Sequence, residues 1–218
     1  HTGEGGIVIT NDHNFYDKLL LIRNHGEAVV GEKGNNEISN IIGYNFRLGE
    51  IESAIGIEQL KKLPNLIKSR QNIAKKLTAG LSNLDGLILP DIEIHDHHAF
   101  YVYPMKIDVN KLNVSRNMIF EALTAEGLEG LMNGYANIHL LPMYQKKIAY
   151  GSKGFPWESE ICKREVNYNK GICPIAEDLQ DYYFLGYEMC LHELRNFEVD
   201  LVIETFKKVW NYLDQLKN

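Results

Sequence analysis

The side chains of this 218-residue chain whose types and spacing could do chemistry are few and scattered. The richest stretch is Gly43-Tyr44-Asn45-Phe46-Arg47-Leu48-Gly49-Glu50, which sets a tyrosine, an amide and a guanidinium directly before a helical pattern that needs a cap. Arginine and a helix N-terminus both hold anions; a solvated helix start fits the same spacing equally well. Gly3-Glu4-Gly5-Gly6 reads as a conformationally permissive loop, either a plain turn or a place where backbone passes close to a ligand. His95-Asp96-His97-His98 has the look of a metal tract. Adjacent residues of an extended segment face opposite ways, however, and no second cluster has zinc-like spacing, so a solvated loop and no metal site are expected there. His139 lies in an irregular stretch, where polar residues serve function more often than in a core helix, although a structural role fits it too. His25 before Gly26 suits a cation at a helix C-terminus. Cys162, Cys173 and Cys190 are odd in number and far apart, which excludes a disulfide framework or a CxxC site and leads us to expect a reducing, cytoplasmic setting.

These groups must be positioned by elements that alternate between strand and helix. Ile7-Val8-Ile9-Thr10 is a short β-branched run expected as a buried strand. Asn11-Asp12 then offer N-caps to a helix with Phe15, Leu19 and Ile22 in register, closed by Gly26. Residues 27 to 42 carry no periodicity and read as a long loop. From Gly49 a helical stripe of Ile51, Ala54, Ile55, Gln59 and Leu63 runs to Pro64, expected as a stop or kink. A second helix follows with Leu66, Ile67, Ile73, Ala74, Leu77 and Leu81. Short strands are expected at residues 87 to 90 and 99 to 108, with Pro104 demoting the end of the latter to an edge or bulge. Ser115 caps a helix bearing Ile119, Phe120 and Leu123 that stops at Gly127. Residues 128 to 175 are irregular apart from a short helix expected near 158 to 165, and Glu198 to Leu216 is the clearest amphipathic helix. The order of elements defines an α/β chain in two pieces, 1–84 and 85–218.

Composition narrows the function classes. The chain is 44% apolar and 24% charged, ordinary for a globular protein. Its net charge of −6 lacks the basic footprint of a nucleic-acid binder. No apolar run approaches the roughly 20 residues of a membrane span. The chain begins His1-Thr2-Gly3 with neither methionine nor signal-peptide pattern, so we expect a piece of a longer protein.

Taken in order, GEGGIVITND, IRNHGE, GYNFRLGEIESAIGIEQLKKL with Arg70 trailing, and AFYVYPMKID resemble the DegT/StrS family of pyridoxal-phosphate-dependent sugar aminotransferases. The resemblance covers essentially the whole chain, strongest over 3–77 and looser over 128–197.

It implies a fold-type-I α/β architecture: the end of the large cofactor-binding domain with connector helices (1–84), then the small C-terminal α/β domain (85–218). It implies pyridoxal 5'-phosphate as cofactor, glutamate and a nucleotide-linked keto sugar as substrates, a cytoplasmic homodimer, and a place in polysaccharide sugar synthesis. It further implies that the Schiff-base lysine lies upstream of His1, leaving this chain without its own catalytic residue and inactive alone. Asn45 and Arg47 correspond to cofactor-phosphate contacts made across the dimer, while Tyr44 and His139 correspond to substrate contacts. Leu140-Leu141-Pro142 departs from common family variants. Two alternatives remain: a dehydratase of the same fold, with histidine replacing the lysine, and a stand-alone nucleotide-sugar binding module.

Overall fold

The computed structural model describes residues 1–26, 41–93, 95–190 and 193–217. The loop expected at 27–42 therefore falls mostly outside the described residues, as does Glu27 of the IRNHGE motif. The chain divides into two compact units, His1–Leu66 and Ile67–Asn218.

The first unit is built on α1 (His13–Arg23) and the start of α2 (Glu50–Leu81). Asp12 caps α1 as expected, its carboxylate accepting from the backbone N–H groups of Asn14 and Phe15. The anticipated stripe is not what this helix buries: Leu21 is the buried residue and Phe15 is exposed. Ile7 to Thr10 forms no strand, because no neighbouring strand among the described residues pairs with it, and Ile9 is 89% exposed. Pro64 neither stops α2 nor splits it; the helix runs through from Glu50 to Leu81. The proline deprives the Leu60 carbonyl of its helical donor, and Leu60 is itself exposed, where water can replace that donor.

The second unit holds a four-stranded antiparallel sheet in the order β1-β2-β4-β3, from β1 (Leu87–Ile88), β2 (Val102–Ile107), β3 (Leu131–Met132) and β4 (Phe184–Glu188). Alternation along β2 turns Tyr103, Met105 and Ile107 inward. They meet Leu185 and Tyr187 of β4, and Ile119 and Leu123 of α4 (Arg116–Ala125), which follows the single turn α3 (Val109–Leu112). Val199, Val202, Ile203, Phe206 and Val209 of α7 (Asn196–Asn211) and Ala74, Leu77 and Leu81 of α2 complete the core. Helices α2 and α7 pack closely enough that a Cβ on Gly80 would stand 2.5 Å from Ile203 Cδ1.

Pro104 sits opposite Gly186, and β1 reaches no further along β2 than Lys106. The bond from Met189 N–H to the Tyr101 carbonyl sets the odd-numbered residues as those bonding toward β4, so the Pro104 nitrogen faces the other way, where β2 is locally an edge. Ser115 caps α4 by accepting from Met118 N–H, and Gly127 turns out of it at φ +88°. α7 begins two residues earlier than its apolar stripe suggests, because the Glu198 carboxylate reaches back to the Arg195 N–H at 2.6 Å.

The irregular region contains α5 (Pro142–Lys146) and α6 (Pro174–Asp178), each with proline at its start. The expected helix at 158–165 is instead turn and bend over 158–161 and irregular chain over 162–165.

Candidate functional site

The two sets of expected site residues lie in different units. Tyr44, Asn45 and Arg47 come together in the first. After α1, the chain reverses through His25 and Gly26, both in the left-handed region at φ 60° and 71°. The reversal lets residues 43–47 run antiparallel to the end of α1, with an isolated bridge between Asn24 and Asn45. Backbone bonds run from His25 N–H to the Tyr44 carbonyl (2.9 Å), Tyr44 N–H to Ile22 (2.7 Å) and Phe46 N–H to Arg23 (3.0 Å). Gly43 is obligatory here, since a Cβ would lie 1.9 Å from the Gly26 nitrogen.

Alternation along this extended segment separates its side chains. Tyr44 and Phe46 stack with centroids 4.9 Å apart. Arg47 Nε donates to Asn45 Oδ1 at 2.8 Å, and Arg47 Nη2 lies 3.0 Å from His25 Nε2. Arg47 and Phe46 line an open cavity of about 680 Å³ together with Gly5, Gly6 and Gly49 and the carboxylates Glu4 and Glu52. The Gly-rich stretch thus forms a wall of the cavity that Arg47 faces. Gly5 comes close enough to Leu48 that a Cβ would stand 3.3 Å from its Cδ1. The N-terminus of α2, the other anion holder expected here, already carries Glu50 and Glu52 in its first turn. Those carboxylates answer the helix dipole and oppose a further anion, which leaves Arg47 as the cationic group of the cavity.

His139 belongs to the second unit, in a single 3-10 turn, Ile138–Leu140. Its side chain is 11% exposed and its Nε2 meets Glu177 Oε1 at 2.8 Å. Glu177, on α6, also accepts from Gly171 N–H (2.8 and 2.7 Å) and Cys173 N–H (3.2 Å). Burial pushes its carboxyl up, but the Gly171, His139 and Cys173 donors outweigh burial and hold it below the usual carboxylate range. Gln145 on α5 steadies the same turn, donating to the carbonyls of His139 and Tyr168. Tyr168 in turn accepts from Trp157 Nε1 at 3.0 Å and packs against Tyr144.

Arg116 escaped the sequence reading. It is buried, yet hydrogen-bonds no carboxylate: Nη1 donates to the carbonyls of Asn133, Gln180 and Phe184, Nη2 to Asp181, and Nε to Asn117 Oδ1. Burial lowers its pKa, partly offset by the charge of Asp181. A signal did exist: arginine opens α4 directly after the Ser115 cap, where the helix dipole disfavours a cation. The histidine tract takes no metal-like arrangement. His98 Nδ1 accepts from Phe100 N–H, and His97 and His98 line a groove with Gln71 and Thr78 of α2. Among the described residues, no group of three or more His, Cys, Asp or Glu is placed to hold a metal ion, and no helix is long and apolar enough to cross a membrane.

The architecture is that of the fold-type-I pyridoxal-phosphate aminotransferases. PseC of Helicobacter pylori, an aminotransferase involved in the biosynthesis of pseudoaminic acid, superposes with a TM-score of 0.64 at 23% identity, covering 93% of this chain and 48% of that one. Residues 1–178 match the DegT/DnrJ/EryC1/StrS aminotransferase family, and the chain belongs to it. An uncharacterized protein of Methanocaldococcus jannaschii is 34% identical over 172 residues, 76% of this chain and 44% of that protein. The UDP-4-amino-4,6-dideoxy-N-acetyl-beta-L-altrosamine transaminase of Helicobacter pylori is 33% identical over 149 residues, 67% of this chain and 37% of that enzyme. The chain thus spans less than half the length of these relatives.

Proposed function

We propose that this chain serves a pyridoxal-phosphate-dependent transfer of an amino group from glutamate to a nucleotide-linked keto sugar. Residues 1–84 would close the cofactor domain and 85–218 form the small domain. The observation that carries the reading is Arg47: a guanidinium held at Nε by Asn45 and at Nη2 by His25, beside a cavity with three glycines in its lining, in a chain of an aminotransferase family. A cationic fork over open, glycine-walled space fits a phosphate-bearing cofactor. When bound, pyridoxal phosphate supplies the electron sink for transamination.

The chain's own residues bind and orient. Across the proposed dimer, Arg47 takes the phosphate of the partner's cofactor, Asn45 keeps the fork in place and offers its amide, and Tyr44 faces the substrate. His139, fixed through Nε2 by Glu177, presents Nδ1 to the sugar or its diphosphate. A cytoplasmic homodimer is part of the proposal. It is supported by three free cysteines and by the exposed apolar residues Phe46, Leu48 and Ile51 beside the cavity motif, more than a lone fold leaves bare.

The test adds pyridoxal phosphate to the purified protein as encoded, together with any residues its gene encodes upstream of His1, follows the visible absorbance of bound cofactor, and then titrates glutamate and a panel of UDP- and GDP-linked keto sugars. Amination of one of these sugars is the expected result. Cofactor affinity unchanged in both Asn45→Ala and Arg47→Ala would remove the site assignment, and sedimentation as a monomer would remove the dimer.

A further inference from the structure

We propose that His25 is a positioning residue, fixing the Arg47 guanidinium so that its outer edge meets a phosphate-bearing ligand. The inference rests on the reading of Arg47 given above. The five N–H donors of arginine lie in one plane, with Nε–H and one Nη2–H along the side, and Nη1 with the other Nη2–H at the end. Two of the three nitrogens are engaged: Asn45 Oδ1 takes Nε–H, and His25 Nε2 takes one Nη2–H. Because arginine only donates, His25 Nε2 is the acceptor in this contact. Nη1 has no protein partner among the described residues, which leaves this outer part of the guanidinium to hold a phosphate.

His25 is held in place at some cost. A histidine at φ 60° is strained unless its surroundings enforce that conformation. Here they do: His25 N–H is tied to the Tyr44 carbonyl, and Gly43 lies so close that a Cβ would stand 2.2 Å from the His25 carbonyl carbon. The same contacts that force the strained backbone bring a ring nitrogen to the arginine 22 residues further along the chain. On an exposed surface an unrestrained arginine samples many rotamers, so two acceptors fixed by the backbone preorganise the fork for its ligand.

The experiment compares pyridoxal phosphate with pyridoxal, which lacks the phosphate, by equilibrium dialysis against the protein as encoded. Wild type, Arg47→Ala, His25→Ala and His25→Gln are measured together, glutamine keeping an acceptor at the same backbone position. Arg47→Ala is expected to weaken pyridoxal phosphate about tenfold and His25→Ala about fourfold, the scale of one charge-assisted hydrogen bond and of part of one. His25→Gln restores most of the loss, and pyridoxal binding moves in none of the variants. A His25→Ala loss that is absent, or shared equally by pyridoxal, or unrestored by glutamine, overturns the positioning role while leaving Arg47 assigned. Failure of the wild type to bind pyridoxal phosphate, or an Arg47→Ala variant that binds as tightly as wild type, removes the Arg47 reading and this inference with it.

Discussion

The two units treat their apolar residues in opposite ways. In Ile67–Asn218, the apolar faces of sheet and helices close on one another, and Tyr103, Leu123 and Phe206 are completely buried. In His1–Leu66, α1 buries Leu21, while Ile7, Val8, Ile9, Phe46, Leu48 and Ile51 face outward. Yet the first unit holds the Gly43–Gly26 approach, the left-handed pair His25 and Gly26, and the Arg47 cluster, geometry as specific as any in the second. Local precision and self-sufficiency are therefore separable: hydrogen bonds and glycine contacts set the motif, whereas burial secures only the second unit. The proposed dimer is one way to cover the outward-facing residues.

The sharpest test of that contrast is Phe206→Ala, expected to cost about 3–5 kcal/mol in urea denaturation, as for a filled core site that cannot collapse. Arg116→Ala comes next. It removes the donor from several half-buried carbonyls and leaves a gap where a buried guanidinium stood, and a loss of about 3 kcal/mol is expected, with Arg116→Lys retaining part of the stability. A loss below about 1 kcal/mol would mean that the second unit does not depend on its buried polar ties.

A smaller, pH-dependent effect is expected at Glu177. Its folded carboxyl lies below the usual range, so its stabilisation is complete above the unfolded carboxylate pKa of about 4.3 and fades as pH falls through the lower folded value. The melting-temperature gap between wild type and Glu177→Gln should be constant at neutral pH and shrink under acid; a gap that does not change with pH would remove that role. The smallest effect on folding is expected at the exposed residues. Ile9→Thr and Ile51→Ser should each change stability by under about 0.5 kcal/mol while lowering self-association in sedimentation. A core-sized loss at either would erase the contrast between the units.

The sequence was most legible where structure is local. Asp12 and Ser115 announce their helices because a cap is read within three residues, and the stripe of α7 repeats over many turns. The Gly43–Arg47 motif was legible as chemistry, but its His25 contact was not, because it depends on a chain reversal that no periodicity encodes. β4 was missed for a similar reason. Gly186 interrupts its pattern, a Cβ there would press on Phe184 and Val102, and its partners lie far off at 102–106. The 133–183 region has no internal period; Arg116, Glu177 and Gln145 organise it through contacts across the chain. At Ile7–Thr10 the β-branched pattern is plain, but a pattern alone supplies no neighbouring strand.

Pro104 has one more consequence. Past Lys106, the flank of β2 opposite β4 pairs with no strand among the described residues, the kind of row on which a foreign chain can add itself and seed aggregation. A strand docking there in antiparallel register would find no donor at residue 104 and would meet a rigid ring instead. The same proline that β2 accommodates beside Gly186 makes that flank a poor template for any other strand.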